Sequence, residues 1–303
     1  MGGLLRFHRD FARIFGRNDA STHDFVSGAT AAPASQRFPE MKILMTAAAF
    51  AATMTLSAGA ALALSCGDTD VRFESWKQEF AQEAKAKGVG PRALAALAAA
   101  SYAHPTIAAD RGMKSFRLSF DEFMKKRGAN QIIAQGRKLK DKHAALFAQI
   151  DKRYGVPAGP LLAIWGMETG FGAISGKQKL LSAVATLTYD CRRPDFFKDH
   201  LYAALKLIDQ GKLVGDQRAS MHGEVGQTQF MPKAILQYGV GDLETPTGAL
   251  TSTANFLKGH GWRAGAGYGE GEPNFAAIQG WNAATVYQKA IAHIGKAIDG
   301  EDD

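Results

Sequence analysis

Only two cysteines, Cys66 and Cys191, occur in 303 residues. Neither belongs to a pair at metal-ligand spacing, so no structural zinc site is expected. A Gly-rich phosphate loop with its lysine is missing, which removes P-loop nucleotide chemistry, and no His-Glu-x-x-His is present to build a helical zinc peptidase site. The eight histidines are scattered, and each is read as a surface or packing residue rather than a ligand. A Ser-His-Asp triad is not excluded by counting, yet no serine occupies a strand-turn-helix elbow. The chain also lacks a convincing alternation of period two, an internal repeat and a coiled coil. The fold class expected is therefore mainly α, with no metal and no cofactor.

What the chain does have is positive charge. The net charge of +7, with a pI near 9.3, suits polyanionic company such as nucleic acid, an anionic membrane surface or acidic cell-wall polymer. Met41-Lys42 precedes an uncharged run from Ile43 to Ser65 rich in Ala, Leu and Met, and Ala61-Leu62-Ala63 offers small residues at signal-peptidase spacing. Residues 41–65 read as a secretory signal, with a membrane anchor as the rival reading. Residues 1–40 carry no pattern and are an unstructured extension or precede the true start. Losing residues 1–63 removes six basic and four acidic residues, so the charge falls only to +5. In an exported protein the even cysteine count favours a Cys66–Cys191 disulfide. A lipidated Cys66 is the alternative, although Ala63-Leu64-Ser65 fits a lipoprotein signal poorly. The location expected is the periplasm, without stable membrane insertion, and the state a monomer.

Helical spacing runs through the remainder. Phe73, Trp76, Phe80 and Ala84 form one apolar face, and Pro91 to Ala100 a second helix that His104-Pro105 breaks. A loop with Asp110-Arg111-Gly112 leads to Phe116, Phe120 and Phe123. One long helix is expected from about Asn130 to Tyr154, its lysines a solvated face. Further helices are read over Leu180–Tyr189, Phe196–Ile208, from Pro232, over Thr251–Gly259, and from Tyr287 to Ile298, with a glycine-rich loop from His260 to Pro273.

One stretch stands apart. Between Pro157 and Pro160, which suit a first helical turn, and Gly170 and Gly172, which suit its end, lies a helix of about residues 157–169. Leu161, Ile164, Trp165 and Glu168 fall at i, i+3, i+4 and i+7 on one face. An acid held against such a stripe is poorly solvated, which raises its pKa toward a general acid's range. A solvated residue in the last helical turn is the other reading.

Five motifs in order make a specific resemblance: Trp165-Gly166-Met167-Glu168-Thr169-Gly170-Phe171-Gly172, the segment Leu181 to Pro194, Gly226-Gln227-Thr228-Gln229-Phe230-Met231-Pro232, Ser252 to Trp262, and Gly280-Trp281-Asn282 with Tyr287. Together they resemble the B-type lytic murein transglycosylases across roughly residues 70–298. The resemblance implies a lysozyme-like helical core at 155–303 with an additional N-terminal helical subdomain at 66–154. It also implies cleavage of the β-1,4 bond between N-acetylmuramic acid and N-acetylglucosamine in peptidoglycan, leaving 1,6-anhydro ends. On this resemblance Glu168 is the single catalytic acid and base. Ser220 and Gln229 hold the N-acetyl group and ring, Arg192 and Arg193 line the groove, and Trp281, Asn282 and Tyr287 sit at the saccharide surface; a cap by the arginines or a core role for Trp281 is the structural alternative. Phe256 departs from the family by standing where relatives often carry Tyr, and Gly239 to Glu244 lacks the aspartate run of a calcium loop. Glu224, a second acid near the active loop, is read as a loop residue. A true muramidase, a noncatalytic peptidoglycan binder and a basic nucleic-acid binder remain as rivals, the last disfavoured by the signal and by the lack of a concentrated basic helix.

Overall fold

Gly159 and Gly295 set how closely the two central helices approach. A Cβ on Gly159 would run into the Gly295 carbonyl and the Asp299 carboxylate, and one on Gly295 would stand 3.0 Å from the Pro160 nitrogen. The computed structural model describes residues 65–112 and 118–301. The extension, almost all of the signal segment and Phe116 lie outside these residues.

Thirteen α-helices occur among the described residues: α1 (Phe73–Ala86), α2 (Pro91–Ala98), α3 (His104–Arg111), α4 (Phe120–Arg127), α5 (Ala129–Lys142), α6 (Ala144–Tyr154), α7 (Ala158–Thr169), α8 (Leu180–Tyr189), α9 (Pro194–Asp209), α10 (Pro232–Tyr238), α11 (Pro246–Gly259), α12 (Phe275–Trp281) and α13 (Thr285–Asp299). Two-residue strands β1 (Gln178–Lys179) and β2 (Arg218–Ala219) pair antiparallel. The mainly α class holds.

Helix α7 is the axis. Every one of its residues is buried, which is what a helix without a polar face requires. α13, α5 and α11 pack against it, and α8 lies on α9. Asp299, from the end of α13, closes the α7 N-terminus by accepting from the Gly159 N–H at 3.0 Å, where a carboxylate also complements the helix dipole. Lys140 Nζ at 3.0 Å and the Tyr268 hydroxyl at 2.9 Å hold that carboxylate in place.

Three boundaries differ from the spacing. The long helix expected from Asn130 to Tyr154 is two helices, broken at His143 (φ −110°, ψ 24°), whose ring lies 6.3 Å from that of Trp165. His104-Pro105 begins α3 instead of breaking a helix, because proline is tolerated in a first turn. Residues before it are held by α8: Ser101 and Ala103 donate backbone N–H groups to Ser182 Oγ (3.1 Å) and Thr186 Oγ1 (2.9 Å). Finally, α12 is a helix that the spacing does not assign, just after the glycine-rich loop. Buried Asn274 organises its approach by bonding Arg263 and Ala266 through both ends of its amide.

Glu83 clamps α1 to α9, accepting from Lys87 Nζ (2.7 Å), Lys198 Nζ (3.2 Å) and the Tyr202 hydroxyl (2.9 Å). Burial alone would raise its pKa, but these donors outweigh it and hold the carboxyl at about 2, against an ordinary 4.5. Because the folded pKa is depressed, this stabilisation is full above pH 4.5 and is lost as pH falls toward 2. Glu83→Gln should lower the thermal midpoint at pH 7 by roughly 3 °C, the shift about 1 kcal/mol produces at this size. The gap to wild type should close in melts near pH 2; a gap independent of pH would show that the clamp is not ionic.

Candidate active site

The Glu168 carboxylate lies at the buried end of α7, with only 5% of the residue exposed. Its helix ends in Gly170-Phe171-Gly172, three successive residues with positive φ (59°, 61° and 81°). For a phenylalanine this is a costly backbone, of order 1–3 kcal/mol. The Phe171 ring is held edge-on to Trp165 at 5.5 Å. Thr169 joins this turn to the glutamine loop: its hydroxyl donates to the Gln227 carbonyl (2.5 Å) and accepts from the Gly172 N–H (2.9 Å).

The surroundings of Glu168 are not the purely apolar stripe expected from spacing. The Tyr287 hydroxyl donates to Oε1 at 2.7 Å and the Trp281 indole N–H to the same oxygen at 3.2 Å. Burial disfavours a charged carboxylate, whereas such donors favour it. Burial pushes the Tyr287 hydroxyl well above its ordinary pKa, and the Glu168 charge adds to that shift, so Tyr287 remains a donor. Trp281 and Tyr287 thus grip the acid itself. Asn282, between them in sequence, is buried and turns the chain into α13, its Oδ1 accepting from the Ala284 N–H at 2.9 Å.

A backbone bridge between Val225 and Phe230, two bonds of 2.9 Å, pinches off Gly226 to Gln229. Gln229 has φ 59°, a second strained non-glycine residue, and its amide Nε2 donates to the Gly226 carbonyl at 2.7 Å. It borders two clefts. One, of about 290 Å³, is lined by Phe230, Tyr238, Phe256, His260 and Trp281; the other, of about 500 Å³, by Gly172, Ile174, Gln217, Gln227 and Glu244. Phe256, lacking the tyrosine hydroxyl, stacks on His260 at 3.9 Å and meets Trp281 edge-on at 5.1 Å.

Ser220 is engaged within its own loop. Its hydroxyl donates to Glu224 Oε2 at 2.5 Å and accepts from the His222 and Glu224 N–H groups at 3.1 Å each. One donor and two lone pairs are all a hydroxyl has, so Ser220 shapes its loop and Glu224 is committed there with it. Arg192 and Arg193 meet on buried Asp110; the Arg193 Nη2 distance is 2.8 Å, and Arg193 also lies over the Phe196 and Phe197 rings at 5.6 and 5.1 Å. Burial opposes ionisation of Asp110, but His222 and the two guanidinium groups prevail and lower its pKa. The neighbouring Cys66–Cys191 disulfide is formed, which leaves Cys66 no sulfur for a lipid.

Sequence reading overlooked Asp110, set in a loop rather than on α3, and Arg127. The spacing of Phe120, Phe123 and Arg127 puts that arginine on the buried face of α4, a signal hidden by the basic run Lys125-Lys126-Arg127.

The transglycosylase SLT domain family model matches residues 72–272. The chain belongs to this family. The membrane-bound lytic murein transglycosylase B of Escherichia coli is 37% identical over 121 residues, 37% of this chain. The chain spans 34% of that relative's length in this match. SltB3 from Pseudomonas aeruginosa, solved with NAG-NAM-pentapeptide and with NAG-anhNAM-pentapeptide, superposes at a TM-score of 0.70 and 27% identity, covering 75% of this chain and 80% of that one. The soluble lytic transglycosylase SltB1 from the same organism superposes at 0.65 with 22% identity, covering 76% and 98%, and shares the fold. Thr169 ties the acid helix to the glutamine loop, and Trp281 and Tyr287, just beyond the matched residues, bond Glu168.

Proposed function

We propose that this chain is a peptidoglycan lytic transglycosylase that cuts the β-1,4 bond between N-acetylmuramic acid and N-acetylglucosamine in cell-wall turnover or remodelling. The observation that carries the reading is Glu168, buried and held by Tyr287 and by Trp281, the latter lining one of the two clefts that Gln229 borders. The acid protonates the glycosidic oxygen and the bond from muramoyl C1 to that oxygen breaks. The muramoyl C6 hydroxyl then gives its proton to the carboxylate as its oxygen bonds to C1. No water is consumed, and the products are a free 4-hydroxyl and a 1,6-anhydro ring. This cycle uses one carboxylate as acid and then base, where ordinary glycosidases need two.

Gln229 contacts sugar in this scheme while Ser220 fixes the loop that presents it, and Phe256 and Trp281 supply apolar faces to the ring. Arg192 and Arg193 offer guanidinium groups to carboxylates of the lactyl and peptide portions. The basic charge suits such a polymer. Residues 66–154 are assigned to the N-terminal helical part and 155–303 to the catalytic core, and the chain acts as an exported, periplasmic monomer after loss of its signal.

The test is digestion of purified sacculi followed by mass spectrometry with and without borohydride reduction. Anhydro-muropeptides that resist reduction are expected. Reducible muramic ends would make the chain a muramidase, and binding without release of any muropeptide would make it a noncatalytic binder.

A further inference from the structure

Arg127 is a charged side chain with no role in the scheme above, yet it lies at its centre. It is buried on α4, and its Nη1 donates to the Met167 carbonyl at 2.9 Å, the residue immediately before Glu168. The guanidinium also stands over the rings of Phe123 at 5.6 Å and Tyr287 at 5.3 Å. One planar group therefore touches the backbone that carries the acid and the ring whose hydroxyl grips it. We propose that Arg127 is a positioning residue for the Glu168–Tyr287 pair, fixing the end of α7 and stabilising the carboxylate form that must take the C6 proton. This inference rests on the transglycosylase reading of Glu168.

The physical case has two parts. Burying a guanidinium is expensive, and burial does lower the pKa of Arg127, opposed by the Tyr287 and Glu168 charges. A core that needed only shape would fill this place with an apolar side chain at less cost. The second part is geometric. A guanidinium presents its donors in a plane, so it can bond a carbonyl at its edge while lying flat over an aromatic face, which an ammonium cannot do. Tyr287 from α13 and Arg127 from α4 face Glu168, and Trp281 from α12 adds a donor that does not titrate.

The variants are Arg127→Gln and Arg127→Lys in the whole chain, assayed on soluble un-crosslinked glycan strands across pH, with folding checked by near-ultraviolet circular dichroism. For Arg127→Gln, kcat should fall by about a hundredfold, the cost of a small misplacement of a reacting group. KM should change by less than about threefold, a group that leaves uniform binding untouched. The basic limb of kcat/KM, which reports the acid in the free enzyme, should move up by about one to three pH units, the influence of a nearby opposite charge. Arg127→Lys keeps the charge and loses the fork, so the limb should stay in place while kcat still falls. A folded Gln variant with an unmoved limb, or a loss in either variant that appears in KM alone, would overturn the proposal. If the Gln variant does not fold, the Lys variant decides: wild-type kcat defeats the positioning role, and lowered kcat with an unmoved limb supports it. Glu168→Gln run alongside separates the two levels, since its retaining activity would remove the transglycosylase reading whatever Arg127 does.

Discussion

Glu168→Gln is expected to fold as the wild type does and to release no anhydro-muropeptides from purified sacculi. The fold should survive because the amide keeps an oxygen where Oε1 accepts from Tyr287 and Trp281 at 2.7 and 3.2 Å. α7 also remains buried along its whole length whichever group ends it. Activity should drop by more than about a thousandfold. A single proton-transfer step contributes typically 10²–10⁴-fold, and here one group serves twice, so the amide can neither give the first proton nor take the second. The measurement is turnover on sacculi with product masses, beside a melting curve. Near wild-type release from a folded variant would mean that another acid drives cleavage. Glu224, on the segment that leads into the Gln229 loop, is the other acid to examine, and it is tied to Ser220 at 2.5 Å.

The acid helix could be read from the chain because its signals are local. Prolines at 157 and 160 and glycines at 170 and 172 bracket residues of strong apolarity, and the observed helix is Ala158–Thr169 with Gly170 left-handed at its end. Leu180 to Tyr189 was legible for the same reason. The break at His143 was not, since neither glycine nor proline marks it and the apolar period continues through it. What turns the chain there is packing, with the His143 ring set against Trp165. The site followed the same division. Motif order brought Glu168, Trp281 and Tyr287 into one list, but a saccharide surface and a grip on the acid use the same residue types. Only the 2.7 Å bond from Tyr287 distinguishes them. No sequence displays that the Ser220 hydroxyl is engaged within five residues, by the Glu224 carboxylate and two backbone N–H groups. Arg127 lay hidden because it closes a run of three adjacent basic residues, and what sets it apart is the Phe123 and Tyr287 rings beside it.

Replacing both cysteines, Cys66→Ser with Cys191→Ser, should produce the largest loss of stability of any surface change. Both residues are exposed, so no cavity is made and no buried group is orphaned. The effect falls on the unfolded chain, where the bridge closes a separation of 125 residues. The chain-entropy account assigns such a loop about 4.7 kcal/mol. At roughly 2–4 °C per kcal/mol for a chain of this length, the midpoint should fall by about 10–15 °C. The folded state has reason to keep its shape near the bridge: the Gly67 N–H bonds the Tyr189 carbonyl at 3.0 Å, and Arg111 spans Asp68 at 3.3 Å and Asp190 at 2.5 Å. Asp190 in turn accepts from the Arg192 N–H at 3.0 Å, so residues 66–68 and the turn carrying the arginine pair form one junction. Well below its midpoint the double variant should therefore retain most of its turnover, and its loss should appear as early melting. Differential scanning calorimetry with parallel sacculus assays reads both quantities. A midpoint within about 3 °C of wild type, less than 2 kcal/mol at this size, would show that the unfolded chain was already restricted without the bridge.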